Sequence, residues 1–228
     1  IYSVGGVNYF GGNVGIGTTP NQQLEITQNF RLPSTTGTTP YGIIYKGITP
    51  FIHDFNYGNN GTVTTDGRNT FVGLNAGNLT MGSTATQTYF ASYNTGIGYQ
   101  SFLSNTTGCQ NTANGFSSLY FNTTGNSNTT NGYASLYSNT TGSNNTALGY
   151  NSGRYIADGT TGRSIGDNGL YLGHNSKASA DGTNNEIVIG YNAIGAGSNK
   201  TVIGNSSITD TYFGSSTGSS KLWASALN

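Results

Sequence analysis

The sequence predicts an all-β repeat fold, a solenoid of stacked β-coils preceded by a small β region. Three observations support this prediction: a tandem repeat with a period of 17 residues, positions in the repeat that keep one residue type from copy to copy, and a composition rich in Gly, Asn, Ser, Thr and aromatic residues. Thr and aromatic residues favour strands, whereas Gly, Asn and Ser favour turns, so helices are not expected.

The composition is unlike that of an ordinary globular domain. Hydrophobic residues make up 33% of the chain and charged residues 7%, against roughly 45–50% and about 25% in a typical soluble domain. Disorder would bring high net charge and few aromatic residues, but the net charge is zero and the chain has 16 Tyr and 10 Phe. We therefore expect an ordered, extended shape whose core is completed by other chains.

The distribution of charge and hydrophobicity argues against several classes of protein. The eight basic residues are scattered singly and balanced by eight acidic residues, so no patch would follow the phosphates of a nucleic acid. No apolar run approaches the roughly 20 residues of a membrane helix, so we expect no membrane insertion. The N-terminus lacks a signal-peptide pattern, and Ile1 is interpreted as an internal position of a longer chain. The single cysteine, Cys109, cannot form a disulfide within the chain.

The repeat is clearest in four consecutive copies, which begin at Asn94, Asn111, Asn128 and Asn145. Looser copies begin at Asn69, Gly169, Asn185 and Asn199, and a short one begins at Asn13. A fixed period of this length is typical of solenoids, in which one repeat cannot bury its own apolar face and its neighbours do so.

Glycine recurs at one position of eight copies: Gly73, Gly98, Gly115, Gly132, Gly149, Gly173, Gly190 and Gly204. Because glycine is costly inside a strand, this column predicts the close approach of another backbone or of a neighbouring chain. The next position holds Leu74, Tyr99, Phe116, Tyr133, Tyr150, His174, Tyr191 and Asn205. Aromatic rings at strand spacing are expected to stack there.

The position before the glycine is apolar in six of eight copies: Val72, Ile97, Asn114, Asn131, Leu148, Leu172, Ile189 and Ile203. This pattern predicts a row of side chains that face the interior. Because an unpaired buried amide costs about 1–3 kcal/mol, we expect the two asparagines to bond to each other, as a stacked ladder, or to trapped water.

Each regular copy closes with Asn-Thr-Thr-Gly, at residues 105–108, 122–125 and 139–142. These residues offer bonds from side chain to backbone and a positive φ, so they predict turns. The motif also matches the acceptor for N-glycosylation, but turn formation explains it without a sugar.

Three regions follow from where the repeat holds. Residues 1–68 contain all four prolines and several strand-like segments, and we expect a separate small β region there. The coil region spans 69–207, with insertions at 78–93 and 154–168, where the spacing grows to 25 and 24 residues. Such insertions become loops on the flank of a solenoid, where binding surfaces are usually built. Residues 208–228 lose the pattern and are assigned as a linker.

Motifs that could carry catalysis are weak, and no enzyme, cofactor or resident metal is predicted. Gly214–Gly218 fits a nucleophile elbow, but no His follows position 174, so a Gly/Ser linker is the better interpretation. Asp158 and Asp167 are the one acidic pair suited to glycoside hydrolysis. Copies of His174, and less so of His53, could ligate a metal on a symmetry axis, although stacking is the default role for His174.

The strings GGNVGIGTTPNQQLEI, NTALGYNSG and NNEIVIGYNAIGAGSNKTVIGNSSI resemble trimeric tail fibres of bacteriophages. The 14-residue step between the last two copies is similar to the head repeat of trimeric autotransporter adhesins. The resemblance implies a parallel homotrimeric fibre in the virion tail, joined to other tail-fibre segments, that binds a glycan or protein on the host surface. A bacterial surface adhesin is the alternative, and a glycan depolymerase is a third hypothesis. Many such fibres lose a C-terminal chaperone, and the end at Asn228 is similar to what that cleavage leaves.

The two insertions supply the candidate receptor contacts. They are Tyr89, Phe90 and Tyr93 on the first and Arg154, Tyr155, Asp158, Arg163 and Asp167 on the second. Aromatic rings would stack on the receptor, while amides and hydroxyls would hydrogen-bond to it. The sequence leaves open the alternative that these residues cap or bridge the coils.

Overall fold

The computed structural model describes Leu32 and residues 42–208. The chain separates into two units, Ile1–Leu32 and Pro33–Asn228. The expectations for the segments before residue 42, for Gly214–Gly218 and for the linker beyond residue 208 lie outside the described residues. Between residues 42 and 208 the structure is all β, with ten strands and no helix. That part of the chain accordingly has no helix long and apolar enough to cross a membrane.

The ten strands form one sheet in chain order. They are β1 Ile44–Lys46, β2 Thr49–His53, β3 Thr70–Val72, β4 Thr95–Ile97, β5 Thr112–Asn114, β6 Thr129–Asn131, β7 Thr146–Leu148, β8 Leu170–Leu172, β9 Ile187–Ile189 and β10 Thr201–Ile203. Strands β1 and β2 form an antiparallel hairpin, and β2 pairs antiparallel with β3. From β3 to β10 every pair is parallel, with all three residues in register. The predicted β-coil solenoid is confirmed over these eight strands. The domain boundary at residue 68 stays a prediction, although the hairpin extends the sheet of the coils.

The middle residue of each strand from β3 to β9 faces the interior. Phe71, Ala113, Ala147, Tyr171 and Val188 hold this position with at most 1% of their surface exposed. Fully buried Phe102, Leu119 and Leu136 come from the opposite wall of the coil. Where these large side chains fill the interior of a coil, the inward position of the strand has room for only a small side chain such as that of alanine.

The aliphatic column was predicted to face the interior, and this prediction is wrong. Side chains alternate across a strand, so the residue after an inward one points outward. Ile97 and Leu148, for example, are 43% and 46% exposed. In the middle coils the inward strand position holds Ala113, Thr130 and Ala147, which carry a weaker hydrophobic signal than the aliphatic residues that follow them.

The recurring glycines allow the coils to stack closely. All eight have a positive φ, between 94° and 141°. A Cβ on Gly149 would lie 2.7 Å from the carbonyl oxygen of Gly173, and one on Gly173 would lie 2.6 Å from that of Gly190. The predicted close approach is confirmed, and the approaching backbone is the next coil of the same chain.

The asparagine that begins each regular coil belongs to a buried ladder, which we call the first asparagine ladder: Asn94, Asn111, Asn128 and Asn145. Each is at most 1% exposed. The Nδ2 of each later member donates to the Oδ1 of the one before, over 3.1 to 3.2 Å. Its backbone N–H donates to the same Oδ1, over 2.9 to 3.1 Å. Nearly every polar group of these buried amides is thereby satisfied.

The ladder predicted at Asn114 and Asn131 is not formed. Both side chains are exposed, and neither amide hydrogen-bonds to any other residue that the structure describes. Asparagine ladders do form, as stacked identical strands favour, but at positions where the amides also reach backbone groups.

The Asn-Thr-Thr-Gly turns contain a second asparagine ladder of Asn105, Asn122 and Asn139. Their Nδ2 atoms donate to the glycine carbonyl of the same turn, over 2.9 to 3.0 Å, and from coil to coil, over 2.9 to 3.0 Å. All three residues are fully buried, so the folded chain cannot present them for glycosylation. The expected positive φ of the turn glycines is wrong. Glycine is needed there for space, since a Cβ on Gly108 would lie 2.5 Å from the Gly125 carbonyl oxygen.

Contacts between coils locate the extra residues of both insertions. Gly82 N donates to Thr106 O, as Thr107 N donates to Thr123 O one coil later. Gly82 therefore replaces Thr107, and residues 83–90 are additional. In the same way Thr140 N donates to Ser164 O, so residues 156–162 are the additional ones in the second insertion.

Candidate interaction surfaces

The residues before and after the recurring glycine form an exposed apolar stripe along the coils. Its aliphatic row is the column from Val72 to Ile203, and its aromatic row is the column from Leu74 to Asn205. In the aliphatic row Ile97, Leu148, Leu172 and Ile203 are 36–46% exposed. Nothing in the described chain covers them.

The aromatic row is a continuous stack of rings, as the sequence predicts. Successive centroids from Tyr99 to Tyr191 are 4.9 to 5.4 Å apart, and the rings from Phe116 to His174 lie within 11° of parallel to their neighbours. Rings stacked in this way cover one another's faces and present their edges to solvent. An edge-on surface suits packing against another apolar surface better than stacking on a sugar ring.

The apolar stripe is large and carries no acidic or basic residue other than His174. Nine of its aliphatic and aromatic side chains are at least 36% exposed, which corresponds to on the order of 900 Å² of surface. Monomers rarely expose an apolar patch larger than a few hundred Å². The exposed area matches the roughly 800 Å² that each partner contributes to a standard protein–protein interface.

The first insertion forms a patch of aromatic residues, of which Tyr89 is exposed and Phe90 and Tyr93 are partly buried. Tyr89 is 46% exposed, and its ring packs edge-on against Phe90 with centroids 5.0 Å apart. Tyr93 donates its hydroxyl to Asp66 over 3.1 Å, which raises the pKa of Tyr93. The guanidinium of Arg68 lies 5.7 Å from the Tyr93 ring centroid. The structure thus brings Tyr89, Phe90 and Tyr93 together on one flank.

The first insertion is held by the segment that precedes the first coil. The Asn60 side chain donates to the carbonyls of Gly82, Ser83 and Ala85, over 2.8 to 3.3 Å. Asp66 N donates to Thr88 O over 2.7 Å. No local pattern indicates these roles, because Asn60 and Asp66 are distant in sequence from residues 83–90.

The second insertion is built around a stacked arginine. The guanidinium of Arg154 lies 4.4 Å from the ring centroid of Tyr137 and 4.7 Å from that of Tyr155. It also donates to Asn151 over 3.0 Å. Arg154 and Tyr155 therefore extend the Tyr120–Tyr137 stack of the preceding coils, as the bridging alternative describes.

The exposed carboxylates of the second insertion accept hydrogen bonds from the backbone. Asp158 accepts from the Thr161 hydroxyl and from the backbone N–H groups of Thr160 and Thr161, which lowers its pKa to about 2. Asp167 accepts from Ser143 N over 2.6 Å. Each carboxylate thus stabilises a turn or joins two coils.

Arg163 lies inside the solenoid, 0% exposed. In the coil after that of Asn139, Arg163 occupies the position that asparagine holds in the second asparagine ladder. Its guanidinium donates to Asn145 Oδ1 over 3.2 Å. Its guanidinium lies 5.0 Å from the Tyr171 ring, whose hydroxyl is 3.3 Å from the equally buried Glu186. Glu186 directly precedes β9, and so occupies in its own coil the position that asparagine holds in the first asparagine ladder. Arg163 is therefore placed as an internal packing residue, away from the surface of the insertion.

Both histidines occupy packed positions. His174 stacks 4.9 Å from Tyr150. His53 is buried, with Nε2 donating to Ala76 O and Nδ1 accepting from Phe55 N. Among the described residues no three His, Cys, Asp or Glu side chains are grouped as metal ligands would be.

These features define residues 69–208 as a β-solenoid whose regular coils have 17 residues, with an outer apolar stripe and two flank loops. Comparison with protein-family models, curated proteins and solved structures finds no match to this chain.

Proposed function

We propose that this chain is a structural segment of a homotrimeric extracellular fibre, of the phage tail-fibre kind, and that it contacts the host surface through its first insertion. The apolar stripe is the observation that carries this proposal. A surface of this size without charge is costly in water, and copies of the same chain offer the matching apolar surface.

Two properties of the apolar stripe support the assembly of three parallel copies of the chain. It runs along all eight coils, so an axis parallel to the solenoid buries it over its full length. Its aliphatic and aromatic rows also lie on opposite sides of the glycine turn. A ring of identical chains pairs two different patches at each contact. The aliphatic row then faces the axis, and the aromatic row packs against a neighbour.

Matched phenylalanines on one coil provide a test of assembly. Phe116 belongs to the stripe and Phe121 lies outside it, with 44% and 43% exposure. The unsubstituted chain should have a trimer mass of roughly 71 kDa, three times 23.7 kDa, by light scattering. Phe116→Lys should shift it towards monomer because each interface then buries a charge, whereas Phe121→Lys should not. Circular dichroism checks that both variants keep the coils. A monomeric unsubstituted chain would refute the fibre.

Receptor contact is assigned to the first insertion because its Tyr89 side chain is 46% exposed, whereas Arg154 and Asp167 of the second insertion already contact the preceding coil. Deleting residues 83–90 restores a 17-residue coil, so the solenoid should persist while binding to an array of bacterial surface glycans is lost. Deleting residues 156–162 restores the regular coil in the same way and should leave binding intact. Equal binding by all three forms would remove the first insertion from the proposal. Release of fragments from the glycans would support the depolymerase instead.

A further inference from the structure

The apolar stripe contains two adjacent polar interruptions. Asn114 and Asn131 occupy neighbouring coils of the aliphatic row, paired in register within the sheet, with Ile97 before them and Leu148 after them. Both are exposed. Their amides hydrogen-bond to no other described side chain or backbone group, in contrast to the buried asparagines of the two ladders, whose amides bond from coil to coil.

Folding of a single chain does not require asparagine at these two positions. The other copies have Val, Ile or Leu there, and the row faces away from the core. The two amides are therefore best explained by what covers the row.

We infer that Asn114 and Asn131 set the axial register in which copies of this chain assemble, an inference that rests on the proposed fibre. Around a threefold axis along the aliphatic row, residues next to the axis meet their own copies. In-register chains bring amides to amides at two levels, where each can donate and accept. A shift of one coil places an amide against Ile97 or Leu148 of a neighbour and leaves it buried without a partner.

A single polar residue in the apolar interface of a coiled coil acts in the same way, because it specifies the register of the chains at some cost in stability. The aliphatic row needs residues that specify register because all coils are nearly equivalent. Without the asparagines, a shift by one coil would preserve apolar contact along almost the whole row.

Disulfide cross-linking can show directly which coils of neighbouring chains lie side by side. In a Cys109→Ser background, Ile97→Cys and Leu148→Cys each place one thiol in the row, on either side of the asparagines. We expect efficient cross-linking between equal positions in both variants. Co-expressed chains bearing different tags should give no 97-to-148 cross-link, which antiparallel packing would produce.

The decisive variant is Asn114→Leu/Asn131→Leu, which makes the row wholly apolar. It should keep the trimer mass and lower the yield of both equal-position cross-links several-fold, since slipped assemblies become accessible. Thr112→Val/Thr129→Val removes two polar groups from the same strands in the neighbouring outward row, and should leave both yields unchanged. A trimer whose yields are unaffected by the leucines, or one with 97-to-148 cross-links, overturns this inference alone. A monomeric unsubstituted chain overturns it together with the fibre.

Discussion

At the scale of the residue, the fold depends on asparagine and glycine. The first asparagine ladder repeats the same hydrogen bonds on successive coils, and it satisfies amides that are wholly buried. Asparagine serves because it donates and accepts with one short side chain. A residue that only accepts cannot continue the ladder.

Asn128→Asp tests this requirement. Asn128 Nδ2 donates to Asn111 Oδ1 and Gly142 O, and a carboxylate would face both oxygens. We expect a loss of stability on the order of 3–5 kcal/mol, as for an uncompensated buried charge, measured by denaturant unfolding. Asn144→Asp makes the same change at an exposed position of the same coil and should cost less than about 0.5 kcal/mol. Equal losses would argue against the ladder as the cause.

At the scale of the element, the β1–β2 hairpin covers the first coil of the solenoid. Strand β2 pairs with β3 in the opposite direction to all later pairs, so it ends the parallel stack at that side. Its last residue, His53, is 4% exposed and packs against Phe71 with ring centroids 5.0 Å apart. The neutral ring joins the hairpin to the coil, since one nitrogen donates and the other accepts.

This contact should make stability depend on pH. Burial lowers the pKa of His53 below its ordinary 6.5, outweighing the bond to Ala76 and the charge of Asp54. Above pH 6.5 the His53 side chain is neutral in both the folded and the unfolded chain. As the pH falls below 6.5, the unfolded chain takes up a proton that the folded chain resists, so stability decreases.

We therefore expect a lower thermal midpoint at pH 5.5 than at pH 7.5. His53→Gln should reduce this difference, whereas His174→Gln, at the other histidine of the chain, serves as the control. An unchanged pH dependence in His53→Gln would show that other groups cause it.

At the scale of the whole molecule, the chain behaves as a one-dimensional array. All the coils share the strand register, and the regular coils from Asn94 to Asn145 also share the ring stack and the asparagine ladders, so stability should be close to a sum over coils and their interfaces. The enlarged coils fit the array because residues 83–90 and 156–162 leave the stack and return to it in register.

Removal of one complete coil tests this equivalence. Deletion of 111–127 joins Gln110 to Asn128 and places β6 beside β4, with Tyr133 against Tyr99. The shortened chain should fold, with its thermal midpoint lower by a few degrees. Deletion of 111–118, which is about half a coil, should abolish cooperative unfolding because it breaks both ladders. Circular dichroism and calorimetry distinguish the outcomes, and equal damage by both deletions would contradict the array.

The repeat, the strand before each recurring glycine, the stacked aromatic row and the existence of two loops could be predicted from the sequence alone. These follow from periodic residue types, which one chain displays directly. Which face of each strand lies inside became clear only from the folded chain. Strands of three residues are too short for alternation to show, and the narrow interior takes Ala113 while Ile97 and Leu148 point outward.

The tertiary structure also placed the asparagine ladders and the neighbours of the first insertion. Asn114 resembles Asn111 in sequence, and only their positions on the coil separate an exposed amide from a buried, fully bonded one. Asn60 and Asp66 reach residues 83–90 through folding of the chain, so sequence distance concealed them. Local pattern thus specified the coil, whereas direction and long-range contact, which depend on how coils close and stack, were settled in three dimensions.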